Sequence, residues 1–167
     1  MKTLTDQLSQ YAEYHRSERN ILTHFVGVPM IVAAVAVLLS RPAFEVGGFS
    51  LSIATVAVVA ASLFYLRLDL RLGLLLTGLL AAALWFGGWA ASQSTAAWLA
   101  IGVGGFLVGW VIQFVGHHFE GRKPAFVDDV VGLLIGPLFV VAEMLFAVGL
   151  CPKLKAAVEA RAGATRV

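Results

Sequence analysis

Residues 96–120 read AAWLAIGVGGFLVGWVIQFVGHHFE, and the character of the stretch changes near its end. The part 96–115 carries no charged residue. At 1.5 Å per residue it makes a helix of about 30 Å, the thickness of a bilayer's hydrocarbon core. The polar GHHFE follows at once, so the stretch reads as a helix that crosses lipid and delivers histidines and a carboxylate to one membrane face.

Working outward, four more apolar stretches appear at 21–40, 49–66, 72–91 and 130–150. The chain is 59% hydrophobic and only 13% charged, against about 25% charged in soluble proteins. The expected fold is an all-α integral membrane bundle forming one domain over 1–167. It comprises an amphipathic N-terminal interfacial helix (1–19), a transmembrane bundle (20–150) and a cytoplasmic tail (151–167). Four of the apolar runs are near spanning length. The one at 130–150, VVGLLIGPLFVVAEMLFAVGL, contains Gly136 and Pro137, which break a helical ladder. It also carries Glu143, where lipid contact would cost about 2.5 to 3.5 kcal/mol. It is expected to be broken near Pro137 or re-entrant.

The formal net charge is +2, and the basic residues are scattered between apolar runs, which gives nucleic-acid binding no support. Their placement reports orientation instead. With the N-terminus inside, the connectors holding Arg67 and Arg71 and holding Arg122 and Lys123 face the cytoplasm, while the uncharged connector 92–95 lies outside. Arg41 is the exception. An inside C-terminus keeps Lys153, Lys155, Arg161 and Arg166 on the cytoplasmic side. The first twenty residues are polar, with no signal-peptide core, so the N-terminus is expected to be retained. Cys151 is the single cysteine and forms no intrachain disulfide. The Ala-, Leu- and Gly-rich chain points to a bacterial inner membrane. Gly105 and Gly109 form a GxxxG that permits close helix approach, within the chain or in a homo-oligomer.

All four histidines lie at ends of apolar runs on the expected cytoplasmic side: His15, His24, His117 and His118. His15 and His24 are nine residues apart, and nine steps of about 100° leave them half a turn out of phase on one helix. A break between Arg16 and Asn20, with Asn20 as N-cap, lets both face one site. Tyr11 and His15, Asn20 and His24, and Gln113 and His117 then form polar pairs at four-residue spacing, with Glu120 three beyond His117. Such a cluster suits zinc, copper, nickel or iron, and histidines with one carboxylate suit oxygen-activating Fe(II). Candidate carboxylates are Glu120, Asp128, Asp129 and Glu143, each of which also has cations near it to pair with. There is no GxSxG elbow for a serine hydrolase, and the glycines of IGVGGFLVGW lie inside an apolar run, not in a phosphate loop. A small membrane transporter or a non-catalytic metal-binding adaptor is the alternative. A transporter would be expected to show inverted halves, and an adaptor would leave the histidines unused.

The motifs Tyr11-x-x-Tyr14-His15, Asn20-x-x-x-His24-x-x-x-x-Pro29, Gln113-Phe114-Val115-Gly116-His117 with Phe119-Glu120, and Pro124-Ala125 together resemble the Mpo1-like membrane proteins. The likeness runs on through Pro137, Glu143 and Cys-Pro-Lys-Leu-Lys at 151–155. The resemblance implies an Fe(II)-dependent dioxygenase of fatty acid α-oxidation, using dioxygen to shorten 2-hydroxy fatty acids by one carbon at a membrane, the endoplasmic reticulum in a eukaryote. It places the motif histidines on His15, His24 and His117 and the acidic motif position on Glu120. His118 stands where the family often has glycine and ranks last as a ligand. Gln113 and Glu120 would orient ligands, Tyr11, Tyr14 or Arg122 would hold the substrate carboxylate, and Glu143 remains a further catalytic candidate.

Overall fold

Polar residues decide where the helices of this apolar chain begin and end. The computed structural model describes residues 2–47, 49–123 and 131–166. Helix α1 (Leu4–Ala12) starts at a capping box in which Thr3 accepts from the Asp6 amide and Asp6 accepts from the Thr3 amide. Helix α2 follows at Glu18–Leu39 after a turn. Two short antiparallel strands, β1 (Ala43–Val46) and β2 (Phe49–Ser52), pair Ala43 with Ser52 and Val46 with Phe49. Gly47 takes φ +58° at their connection, a conformation glycine adopts without steric cost. Helices α3 (Ile53–Leu68), α4 (Leu70–Ala91), α5 (Thr95–Glu120), α6 (Gly132–Ala147) and α7 (Pro152–Ala162) complete the order.

The architecture is all-α, the hairpin aside, and of membrane type. Helices α2, α4 and α5, of 22, 22 and 26 residues, are long and apolar enough to cross a bilayer. Exposed positions along them hold Leu74, Leu79, Trp85 and Val111, where a soluble helix would be charged. The expected span at 49–66 is different: its first residues form β2, and the Ser52–Thr55 capping box starts α3 only at Ile53. The remaining 16 residues reach about 24 Å. The segment at 130–150 is broken, but not at Pro137. That residue lies inside α6, and its missing N–H costs one hydrogen bond near the helix start. The break comes at 148–151, where Gly149 and Cys151 take φ +79° and +55° and Pro152 opens α7. There α6 and α7 meet at 116°, as a broken span or a re-entrant element.

The chain divides into two compact units, Met1–Val28 with Val111–Val167 and Pro29–Trp110, the division falling inside α2 and α5. In the second unit α3 and α4 are joined at Asp69, whose Oδ1 caps α4 by accepting from the Leu72 amide. The corner is so tight that a Cβ on Gly73 would lie 2.7 Å from the Leu66 backbone. Arg41, the exception among the connectors expected outside, donates to the carbonyls of Ala91, the last residue of α4, and of Gln93 just beyond it, and stacks over Trp98. Its charge serves a helix C-terminus. In the first unit, Leu8 and Ala12 of α1, Ile135, Leu138 and Phe139 of α6 and Val158 of α7 form the core.

Gly73→Ala is expected to destabilise the chain by about 1–3 kcal/mol through overpacking. Gly78→Ala, where an added Cβ meets nothing within 4 Å, should lose no more than about 0.5 kcal/mol. Unfolding midpoints in detergent measure both.

Candidate metal centre

The turn between α1 and α2 resolves the phase problem of the first two histidines. Helix α1 stops at Ala12, α2 starts at Glu18, and His15 lies in the turn with its amide on the Ala12 carbonyl. The restart comes two residues before Asn20, so Asn20 is not an N-cap but belongs to the first turn of α2. The physical reason lies in α5: Glu120 Oε2 accepts from the Ser17 amide at 2.8 Å and from Asn20 Nδ2 at 3.0 Å. A carboxylate from elsewhere in the chain thus supplies the acceptor for the residue preceding the helix that the third helical side chain provides in a capping box.

His24 on the second turn of α2 and His117 on the last turn of α5 join His15. Ring centroids are 4.6 Å apart for His15 and His24, 4.9 Å for His15 and His117, and 5.1 Å for His24 and His117. All three are buried, and one nitrogen from each lies within 4.8 Å of the others. His15 Nδ1 is 2.8 Å from the Tyr11 carbonyl, and His24 Nδ1 is 2.8 Å from the Asn20 carbonyl. A carbonyl only accepts, so each Nδ1 carries the proton and each Nε2 keeps a lone pair. His15 Nε2 and His117 Nδ1 are buried without a hydrogen-bond partner. Burial pushes the His15 pKa well below its ordinary value, and the neighbouring His24, His117 and Arg16 add to the effect. Three imidazoles whose nitrogens converge, two of those rings with an unpartnered buried nitrogen, are a donor set that fits a first-row transition metal.

The two carboxylates nearest in role are already engaged. Glu120 also accepts from Arg166 Nη2 at 2.6 Å through Oε1. Glu143 pairs with Arg16 Nη2 at 3.0 Å, and Arg16 further donates to the carbonyls of Ala12, His15 and Gly163. Neither belongs to the three-nitrogen group; both brace the turn that carries His15. Close approach of α5 to α2 needs Gly116, since a Cβ there would lie 2.0 Å from Thr23 Oγ1 and 2.6 Å from Asn20 Oδ1.

Tyr11 stacks on His15 with centroids 4.2 Å apart and planes 3° apart. Phe139 packs against both rings at 5.0 and 5.4 Å. The Tyr11 hydroxyl lies against Gly136, where a Cβ would come within 3.1 Å. Gln113, one turn before His117, is buried with Nε2 unpartnered. His118 is exposed beside Phe119 and outside the cluster. Arg122 donates to the Glu13 carbonyl. Asp128 and Asp129 lie outside the described residues. Sequence reasoning missed Arg16, Ser17, Phe139 and Arg166. Glu143 in an apolar run signalled that some buried cation must exist, but nothing local named Arg16.

No solved structure matches this chain. The family model described as "2-hydroxy-palmitic acid dioxygenase Mpo1-like" matches residues 1–148. The chain is 37% identical over 161 residues to "2-hydroxy-palmitic acid dioxygenase MPO1" of Saccharomyces cerevisiae, covering 93% of this chain and 87% of that protein. All three clustered histidines, with Asn20, Glu120 and Glu143, fall inside the stretch that the family model matches, and the chain belongs to the Mpo1-like family.

Proposed function

We propose that this chain is an Fe(II)-dependent dioxygenase of fatty acid α-oxidation that converts 2-hydroxy fatty acids to fatty acids one carbon shorter. The observation that carries the reading is the convergence of three buried imidazoles, two of them with an unpartnered buried nitrogen, in a family whose yeast member is named for a 2-hydroxy-palmitic acid dioxygenase. His15, His24 and His117 would hold the iron, and His118 receives no ligand role. Iron, when bound, supplies the one-electron chemistry that lets dioxygen react with a closed-shell acid, which no side chain of this protein can supply.

The chain's own groups do the rest. The Tyr11 and Asn20 carbonyls fix the proton on the far nitrogen of His15 and His24 and so aim the other inward. Tyr11 and Phe139 wall His15 with aromatic surface and keep bulk water from the site. Gln113 Nε2, a buried donor without an acceptor, is assigned to a substrate oxygen. Glu120 and Glu143 position the turn and do not touch the reacting atoms. The net reaction balances with one dioxygen per substrate: the C1–C2 bond breaks, C2 becomes the new carboxyl, C1 leaves as carbon dioxide and water is formed. The hydroxy acid provides all four electrons, so no external reductant is required. We place the site at the cytoplasmic face on the distribution of Lys and Arg, and in a bacterial inner membrane on the Ala-, Leu- and Gly-rich composition.

Purified protein loaded anaerobically with Fe(II) and given oxygen and a 2-hydroxy fatty acid in detergent should yield the chain-shortened acid, with carbon dioxide equal to oxygen consumed. Failure to form that acid with iron bound, or its formation with zinc alone, overturns the reading. His117→Ala should lower turnover by more than about 100-fold with membrane insertion intact, whereas His118→Ala should leave turnover near that of the unaltered chain. Tyr11→Phe keeps the stack and should keep activity. Tyr11→Ala loses a contact worth about 0.5–1.5 kcal/mol and should weaken iron binding by up to about tenfold, measured by chelator competition. A C-terminal reporter that scores as external would sink the assigned orientation.

A further inference from the structure

The last residues of the chain grip the turn that carries His15. The Arg166 amide donates to the Arg16 carbonyl at 2.6 Å, and the Glu18 amide donates to the Arg166 carbonyl at 2.9 Å. Ser17 and Arg166 thereby form a parallel bridge. Arg16 Nη1 reaches the Gly163 carbonyl at 3.0 Å. The same Arg166 sends its guanidinium to Glu120, 2.6 Å away. The Glu120 side chain is 0% exposed and that of Arg166 is 65% exposed, so a surface cation neutralises a buried anion. That anion holds Ser17 and Asn20, and the Asn20 carbonyl holds His24. One short segment therefore touches the backbone on either side of Ser17 and, through Glu120, the orientation of a second histidine.

We propose that residues 163–166 form a strap that completes the metal centre, with Arg166 as a positioning residue acting through Glu120. The strap lies beyond the residues that the family model matches. It rests on the reading of His15, His24 and His117 as metal ligands but not on the identity of the reaction. A buried carboxylate that loses its counter-ion either takes up a proton or draws in water, and in both cases its hold on Ser17 and Asn20 loosens. Residues that orient metal ligands from outside the ligand set typically govern affinity by about 10–100-fold.

The test is anaerobic Fe(II) affinity of the full chain in detergent, by chelator competition, with kcat and KM at saturating iron. Arg166→Ala should weaken iron binding about 10–100-fold and lower kcat with KM unchanged, and Arg166→Lys, which keeps the charge, should recover part of the affinity. In a Glu120→Gln background Arg166→Ala should change affinity by less than about threefold, because no charge is left to neutralise. Should Arg166→Ala fail to insert, Arg166→Gln keeps the length without the charge and should show the same loss. Unchanged affinity in the alanine or glutamine variant overturns the proposal, as does an equal loss in the native and Glu120→Gln backgrounds. If the native protein binds iron yet makes no shortened acid while Arg166→Ala weakens binding, the strap stands and the reaction assignment falls. Product formation with Arg166 variants that bind iron normally gives the converse.

Discussion

A carboxylate at the start of a helix that it does not belong to organises this site. Glu120 closes α5, and its oxygens receive the Ser17 amide, the Asn20 amide group and the Arg166 guanidinium. Unsatisfied amides and the helix dipole both favour an anion at that place. Because the anion is fixed on α5, α2 must begin against it, and His24, one turn on, must face the same interior as His117. The chain entering α2 is then committed to a turn at 13–17, and His15 projects from it. The second ion pair, Arg16 with Glu143, ties that turn to α6. Three buried charges that would be costly alone, on Arg16, Glu120 and Glu143, are each compensated, and together they fix where the three rings meet.

Much of this was legible in the amino-acid sequence, for a physical reason. Uncharged runs of bilayer length and histidines at their ends are local signals. The angular mismatch of His15 and His24 required a break, since one helix turns about 100° per residue. What was not legible came from partners distant in the chain. Ser17, an N-cap residue type directly before the start of α2 at Glu18, was a local signal passed over for Asn20, whereas the carboxylate 103 residues away that receives its amide had no local signal. The same holds for Arg166, read only as a charge that sets orientation. Pro137 misled because its ring breaks helices in their interiors, whereas it falls early in α6; the glycine and proline at 149 and 152 were the stronger punctuation. The β1–β2 hairpin was hidden in apolar residues whose hydropathy suits lipid and strand alike.

The unpartnered polar atoms separate the site from its frame. Apart from Ser9 Oγ in α1, the buried side-chain atoms without partners among the described residues of the first unit are His15 Nε2, His117 Nδ1, Gln113 Nε2 and Asn20 Oδ1. A few such atoms are ordinary in native proteins, but these four belong to the motifs that hold the histidines, and they are not of one kind. Imidazole lone pairs call for a cation, and the Gln113 amide calls for an acceptor. A metal alone answers the first need and leaves the second. Under the proposed reading, a substrate with a hydroxyl and a carboxylate on adjacent carbons brings the oxygens that answer the second, and its hydrocarbon tail suits a chain whose helices are apolar on their exposed faces.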